Sequence, residues 1–103
     1  MDDEPDDLTV DVSADGDVAL LRIAGEIDTS TVDMISDAAQ KAVQAGADTL
    51  ILDMSAVTFM DSSGIGAIIA LQANAMVRMR KPSQIVERLI ATTGLTEVFE
   101  VEP

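Results

Sequence analysis

The first part of the chain carries two strand-like hydrophobic patterns separated by a turn signal. Residues 8–12 alternate between apolar and polar side chains, as a strand with one buried face does. Residues 15–17, Asp-Gly-Asp, are typical of a turn, and residues 18–24 form an apolar run rich in branched side chains. The pattern predicts two strands paired as a hairpin. Residues 25–28 are expected to leave the second strand.

A helical spacing of apolar side chains follows this hairpin. Thr29 and Ser30 are N-cap candidates, because a hydroxyl oxygen can accept a hydrogen bond from a first-turn N–H group. Gly46 supplies a C-terminal stop. The apolar stripe of the predicted helix contains Val32, Ile35, Ala38, Ala39, Ala42 and Val43.

The middle of the chain predicts a buried strand, a short connection and a second helix. Residues 49–52 are a continuous apolar run that ends at Asp53, which is typical of a buried strand. Residues 54–61, with the sequence MSAVTFMD, are interpreted as the connection. The second helix is expected to end near Asn74, and its isoleucines at helical spacing are Ile65, Ile68 and Ile69.

The last third predicts a strand, a helix and a final strand. Residues 77–80 suit a short strand, and residues 97–101 suit the last one. Pro82 fits the first turn of the helix between them, and Gly94 ends that helix. Its apolar face contains Ile85, Val86, Leu89 and Ile90.

This order of elements predicts one α/β domain. After the opening hairpin, strands alternate with helices, so a small, mainly parallel mixed sheet with helices packed against it is expected. A chain of 103 residues is also the size of a single domain. Residues 1–7 are acidic and are interpreted as a frayed tail, which leaves residues 8–103 as the domain.

The amino-acid composition excludes several classes of function, although it says little more about the fold. The net charge is −13, which argues against a nucleic-acid partner, because phosphate backbones are bound by Lys and Arg. The chain has no Cys and no His, which excludes thiolate nucleophiles, Cys or His zinc sites and Ser-His-Asp triads. We therefore predict a protein that is not an enzyme and needs no metal or cofactor. Without a signal peptide or a membrane-spanning run, it is predicted to be cytoplasmic with no membrane partner.

Two other kinds of chemistry are disfavoured by the residues that they would need. The run TLILDMS resembles the acid-tipped strand of nucleotide hydrolases, but the phosphate-binding loop that accompanies it is absent. Asp28, Asp53 and Asp61 lie near predicted strand ends, as in a phosphoaspartate receiver domain. That family requires a paired acid after its first strand and a lysine after its last, and the chain has neither. Gly64 and Gly66 form a lone G-x-G, explained by close packing of a helix that follows a strand.

Two adjacent serines, Ser62 and Ser63, remain after these exclusions. Capping of the second helix by Asp61 or Ser62 explains one polar residue there but not two serines. A helix N-terminus also attracts anions, so a phosphate is tolerated at this position. A phosphoserine adds about −1.5 to −2 charges, and a loss of about 4 kcal/mol in docking lowers affinity roughly a thousandfold. Ser62 or Ser63 is therefore a candidate for a phosphorylation switch.

At these residues the chain resembles the STAS domain of bacterial anti-anti-sigma factors, also called anti-sigma factor antagonists. The resemblance covers LRIAGEIDTST at 21–31, LILDMSAVTFMDSSGIGAI at 50–68 and PSQIVERLIATTGL at 82–95. The D-S-S-G-hydrophobic-G core after an apolar strand is its most specific part. The fold that the resemblance implies, a small mixed sheet with helices, agrees with the element order above.

The resemblance implies a partner-switching mechanism. The unphosphorylated antagonist binds an anti-sigma factor that is itself a serine kinase, and this frees the sigma factor. Phosphorylation of the first serine of D-S-S-G, here Ser62, ends the binding, with Ser63 as a secondary possibility, and a serine phosphatase resets the system. The implied docking face contains Asp28, Asp61, Ser62, Ser63 and Gly64, while the catalytic base and magnesium belong to the kinase. The alternative is an unphosphorylated STAS domain of another regulatory or lipid-transport complex.

The chain departs from the family pattern in two places. Family members usually have a longer segment between the serine-bearing helix and the next strand, often with a glycine turn. Here no glycine lies between Gly66 and Gly94, and the segment is shorter by roughly two helical turns. The family also usually ends with a further helix, whereas this sequence stops at FEVEP.

Overall fold

A computed structural model describes residues 7–102, which form five strands and three helices. Residues 1–6 of the predicted acidic tail lie outside the described residues, and the carbonyl of Asp7 accepts a hydrogen bond from Glu26 N at 2.8 Å. The elements are β1 (Leu8–Asp15), β2 (Val18–Ile27), α1 (Val32–Gln44), β3 (Thr49–Met60), α2 (Ser62–Leu71), β4 (Met76–Arg80), α3 (Gln84–Thr93) and β5 (Glu100–Val101).

The strands form a single mixed sheet in the order β1-β2-β3-β4-β5. β1 and β2 are antiparallel and are joined at Gly16, whose φ of 65° suits the tight turn. The remaining neighbours are parallel. The predicted α/β domain with a mixed sheet is therefore confirmed.

The helices cover one face of this sheet. Each helix joins two neighbouring parallel strands, and all three connections run in the same direction, so right-handed crossovers place them together. The burial pattern agrees: Leu21, Leu52 and Met79 are almost fully buried, whereas Asp53 and Arg78 on the other face are partly exposed. The core therefore lies between the sheet and one layer of helices, and the residues that complete it from the helices are Ile35, Ala39, Ile65, Ile68, Val86 and Ile90.

Both central strands are longer than the sequence predicts. β2 continues through residues 25–27, and β3 continues through residues 54–60, so neither the predicted exit at Gly25 nor the predicted connection is correct. The cause is a change in hydrophobic spacing. Register shifts between β2 and β3 insert extra residues into β3, so its buried positions change from every second to every third residue. Because a strand is recognised in a sequence by apolar residues at every second position, this part of β3 is not recognised as one.

Gly25 is a glycine inside a strand, and the chain leaves no room for any other residue there. Its φ is +113°, and a Cβ would lie 2.2 Å from the Asp7 carbonyl oxygen. The glycine therefore admits the backbone of Asp7 against β2.

The helix boundaries correct two of the predictions and confirm a third. α1 has Thr31 at its N-cap position instead of Thr29 or Ser30, and Thr31 makes no side-chain cap bond. Pro82 precedes Ser83, the N-cap of α3, so it lies outside the helix instead of in its first turn. Gly94 ends α3 in the left-handed conformation, as expected.

The short segment after α2 leads directly into β4. α2 ends at Leu71, three residues before the predicted end, and the following turn is held by Gln72, whose side-chain nitrogen donates to the Val98 carbonyl at 3.1 Å. β4 confirms the predicted strand. β5 is only two residues long, because residues 96–98 form a turn instead of the predicted strand.

Candidate functional site

The predicted site residues meet at the carboxyl ends of β2 and β3. Ile27 and Met60 are paired at the last register position, and Asp61 N donates to the Ile27 carbonyl at 3.2 Å. Residues 28–31, here called the β2 turn, therefore lie beside residues 61–64, called the serine turn. The two turns lead into the N-termini of α1 and α2, and together they form what we call the functional edge. Ligands and partners of parallel α/β sheets meet this kind of edge.

Asp61 caps α2. Its backbone is extended, and its Oδ1 accepts a hydrogen bond from Ser63 N at 2.9 Å and another from the Ser63 hydroxyl. Of the two residues that the sequence offers as the cap, Asp61 is therefore the one used.

This cap distinguishes the two serines. Ser63 is partly buried, and its hydroxyl proton is donated to Asp61. Ser62 is exposed, and its hydroxyl makes no hydrogen bond to any part of the chain that the structure describes. A kinase would therefore reach the Ser62 oxygen without breaking a contact of the domain.

Asp28 organises the β2 turn in the same way. Its Oδ1 accepts hydrogen bonds from Ser30 N at 2.9 Å and from the Ser30 hydroxyl at 2.7 Å. The Ser30 hydroxyl first, and then the N–H groups and the Thr31 hydroxyl, hold the pKa of Asp28 below its ordinary value, since they favour the ionised form. Asp28 therefore carries a negative charge beside the serine turn at neutral pH.

Thr31 is a functional-edge residue that the sequence does not single out. It is the buried polar residue of the described core, 6% exposed. Its hydroxyl donates to the Glu26 carbonyl at 2.8 Å and accepts from Asp28 N at 3.0 Å. Thr31 thus ties the β2 turn back onto the end of its strand, and no signal in the sequence distinguishes it from Thr29.

The two glycines of G-x-G have different environments. A Cβ on Gly64 would lie 2.7 Å from Met60 Cγ and 2.9 Å from Ile27 Cγ2, so close packing explains this glycine. A Cβ on Gly66 would meet no atom within 4 Å, and Gly66 is exposed. The packing explanation is correct for Gly64 and wrong for Gly66.

The functional edge is acidic. Asp28, Asp33 and Asp61 lie on the two turns or the first turn of α1, and residues 23–40 and 54–77 contain no Lys or Arg. Of the predicted docking residues, Asp28, Asp61, Ser62 and Ser63 are at least partly exposed, whereas Gly64 is buried and positions α2. Their contact with a partner stays a prediction.

Asp53 is separate from this edge. It lies inside β3 on the open face of the sheet, not at a strand end as the sequence suggests. Partial burial raises its pKa, but hydrogen bonds from Ser55 and the charges of Arg22 and Arg80 outweigh this and leave the pKa lowered. Asp53 is therefore engaged by its neighbours on the sheet and lies apart from the functional edge.

Two other kinds of site are not found in the part of the chain that the structure describes. Within residues 7–102, no group of three or more acidic side chains is placed to hold a metal ion. None of the helices in that range combines the length and apolar character needed to cross a membrane.

The family of the chain follows from comparison with known proteins. The family model for the STAS domain matches residues 9–103, so the chain belongs to the STAS domain family. An anti-sigma-F factor antagonist of Mycobacterium tuberculosis is 38% identical over 66 residues, which are 64% of this chain and 54% of that protein. The match thus spans about half the length of that relative. An anti-sigma F factor antagonist of Paenibacillus polymyxa is 26% identical over 91% of this chain and 86% of its own length.

Solved structures give the same fold. An anti-sigma factor antagonist from Mycobacterium paratuberculosis superposes with a TM-score of 0.83 at 27% identity, covering 97% of this chain and 89% of the other. The unphosphorylated form of the anti-sigma factor antagonist SpoIIAA superposes with a TM-score of 0.75 at 22% identity, covering 92% and 89%. At 22% identity, the superposition on SpoIIAA shows a shared fold and nothing more.

Proposed function

We propose that this protein is an anti-sigma factor antagonist switched by phosphorylation of Ser62. In its unphosphorylated form the functional edge binds an anti-sigma factor that is a serine kinase, and the sigma factor is released. The observation that carries the proposal is the contrast at the serine turn: Ser62 is exposed with an unengaged hydroxyl, while Ser63 is held by Asp61. The names of the relatives supply the class of partner.

The chain supplies only the acceptor atom for this reaction. Ser62 Oγ forms a bond to the γ-phosphorus of ATP while the bond from that phosphorus to the β–γ bridging oxygen breaks. ADP leaves with the electron pair, and the hydroxyl proton passes to a base of the kinase. The base and the magnesium belong to the kinase, which agrees with a chain that contains no histidine and no cysteine.

Electrostatics explain why the phosphate would end the complex. The phosphate adds about −1.5 to −2 charges beside Asp61 and Asp28, and no Lys or Arg lies near them in sequence. The positive end of the α2 dipole makes the phosphate tolerable within the domain. A partner that fits the unmodified acidic surface would lose complementarity, and about 4 kcal/mol of lost docking energy lowers affinity roughly a thousandfold.

A structural neighbour supports the compatibility of this fold with a phosphate. The phosphorylated form of SpoIIAA superposes on this chain with a TM-score of 0.70 at 20% identity. SpoIIAA therefore has this fold in its phosphorylated form. A serine phosphatase that resets the switch completes the proposed cycle.

The test is phosphorylation by the cognate anti-sigma kinase with ATP, followed by mass-spectrometric mapping. We expect one phosphate on Ser62, its loss in Ser62→Ala, and its retention in Ser63→Ala. Equal phosphorylation of Ser62→Ala and the wild type would contradict the assignment. Tight binding to a regulatory partner without any phosphorylation would instead favour a STAS domain of another complex.

A further inference from the structure

We infer that Gly66 and the exposed side of α2 below Ser62 are where the backbone of the anti-sigma kinase packs, with Gly66 kept as glycine to admit it. This inference rests on the proposed function and extends its docking surface from the functional edge along α2. It assigns a role to a glycine that the domain itself does not need.

The first observation is that nothing within the described domain requires glycine at residue 66. It lies inside α2, it has no left-handed φ, and a Cβ there would meet open space. Glycine in a helix interior is less stable than alanine, because it loses more backbone freedom on folding. Gly64, two residues earlier, has the opposite environment, so a shared packing requirement does not explain the pair.

The second observation is the position of Gly66 relative to the phosphoacceptor. Ser62, Gly66 and Ile69 are spaced by four and three residues, so they lie on one side of α2. Side chains at such spacing are neighbours about 5–6 Å apart. A kinase whose active site encloses the Ser62 hydroxyl therefore covers the helix surface at Gly66.

The third observation is the chemistry of that side. Residues 62–77 contain no charged residue, although 24% of the whole chain is charged. All three helices expose a large apolar side chain, Met34 on α1, Ile69 on α2 and Ile85 on α3. The exposed sides of α1 and α3 also carry charges, including Asp33, Lys41 and Glu87, whereas the side of α2 that holds Gly66 and Ile69 carries none. An uncharged surface beside a functional residue fits a protein-binding site, because charged residues are depleted at the core of protein interfaces. The surface of the kinase that would fit here is an uncharged segment of main chain beside the entrance to the kinase active site. This segment would approach the α2 backbone closely at Gly66.

The test compares Gly66→Ala and Gly66→Gln with the wild type in kinase binding by calorimetry and in thermal unfolding. We expect Gly66→Ala to raise the unfolding midpoint by a few degrees, because alanine favours the helix. The same variant should bind the kinase about tenfold more weakly, and Gly66→Gln about a hundredfold more weakly, each 1.4 kcal/mol corresponding to a tenfold change. Weaker binding by a more stable protein cannot result from unfolding.

Ala91→Gln is the matched control, since Ala91 is an exposed small residue on α3. It should bind the kinase within twofold of the wild type. The inference is overturned if the wild type binds and Gly66→Gln binds equally well. A wild type that neither binds nor is phosphorylated overturns the proposed function itself, so the two failures are distinguished by the wild-type measurement.

Discussion

The β2 turn and the serine turn have the same hydrogen bonds at their start but different surroundings. In each, an Asp accepts from the N–H and the hydroxyl of the Ser two residues later, Asp28 with Ser30 and Asp61 with Ser63. The residue between, Thr29 or Ser62, is exposed in both. The local turn therefore creates an exposed hydroxyl twice and does not by itself identify a phosphoacceptor.

The two turns differ in the residues that come after the shared hydrogen bonds. The β2 turn is tied down by the buried Thr31 hydroxyl, and α1 begins only at Val32. The serine turn enters α2 at once, with Ser62 as the first helical residue and Gly64 packed against Ile27 and Met60. Ser62 is thus attached to a helix N-terminus and to an uncharged helix side, whereas Thr29 lies in a loop. These structural differences favour the serine turn as the position of the switch.

The largest expected effect on stability comes from breaking the packing of the serine turn. Gly64→Ala should lower the free energy of unfolding by about 2–3 kcal/mol, because its Cβ would crowd the Met60 side chain and Ile27 Cγ2 in a packed core. Gly66→Ala is the matched control and should raise the same quantity by about 0.5–1 kcal/mol. Urea unfolding measures both, and the same sign for the two variants would contradict the packing difference.

A smaller effect is expected from releasing the β2 turn. Thr31→Val keeps the shape but removes the hydroxyl, so the Glu26 carbonyl and Asp28 N lose their partner. We expect a loss of about 1–2 kcal/mol in the free energy of unfolding. Thr29→Val, at an exposed position, should change it by less than about 0.5 kcal/mol. Equal losses in the two variants would show that the Thr31 hydroxyl does not anchor the turn.

The smallest effect concerns the charge of Asp28. The pKa of Asp28 in the folded protein is lowered from its ordinary value of 3.8. The ionised carboxylate therefore stabilises the fold fully above pH 3.8, and this stabilisation is lost as the pH falls through the pKa of the folded protein. Ser30→Ala removes the hydroxyl that is the largest cause of the shift. Carboxyl titration by NMR should then show the Asp28 pKa rising toward its ordinary value, and an unchanged pKa would contradict this cause.

The sequence predicts the fold well where hydrophobic spacing is regular. The hairpin and all three helices follow from simple periodicity, and Gly94 marks the end of α3. The second half of β3 escapes prediction because bulges move its buried residues to every third position, from Met54 to Val57 to Met60. The N-cap of α1 is missed because the Thr31 hydroxyl bonds the Glu26 carbonyl, five residues earlier near the end of β2, a contact that appears only when the turn is folded.

The candidate site is predicted by resemblance more than by physics. The D-S-S-G motif predicts a switch at Ser62 because the family carries its target serine at that position of the motif. The two hydroxyls are equivalent in the sequence, and only the folded turn shows that Ser63 is engaged by Asp61 while Ser62 is not. The different environments of Gly64 and Gly66 also become visible only in the fold, since in the sequence both simply lie at the start of the predicted second helix.

We expect a phosphate on Ser62 to switch off binding to the anti-sigma kinase. The most direct measurement is the Kd of that kinase for the unmodified protein and for the same protein phosphorylated stoichiometrically on Ser62. Added charge at the acidic functional edge should weaken binding roughly a thousandfold, which corresponds to about 4 kcal/mol. Two Kd values within threefold of each other would show that the phosphate is not the switch.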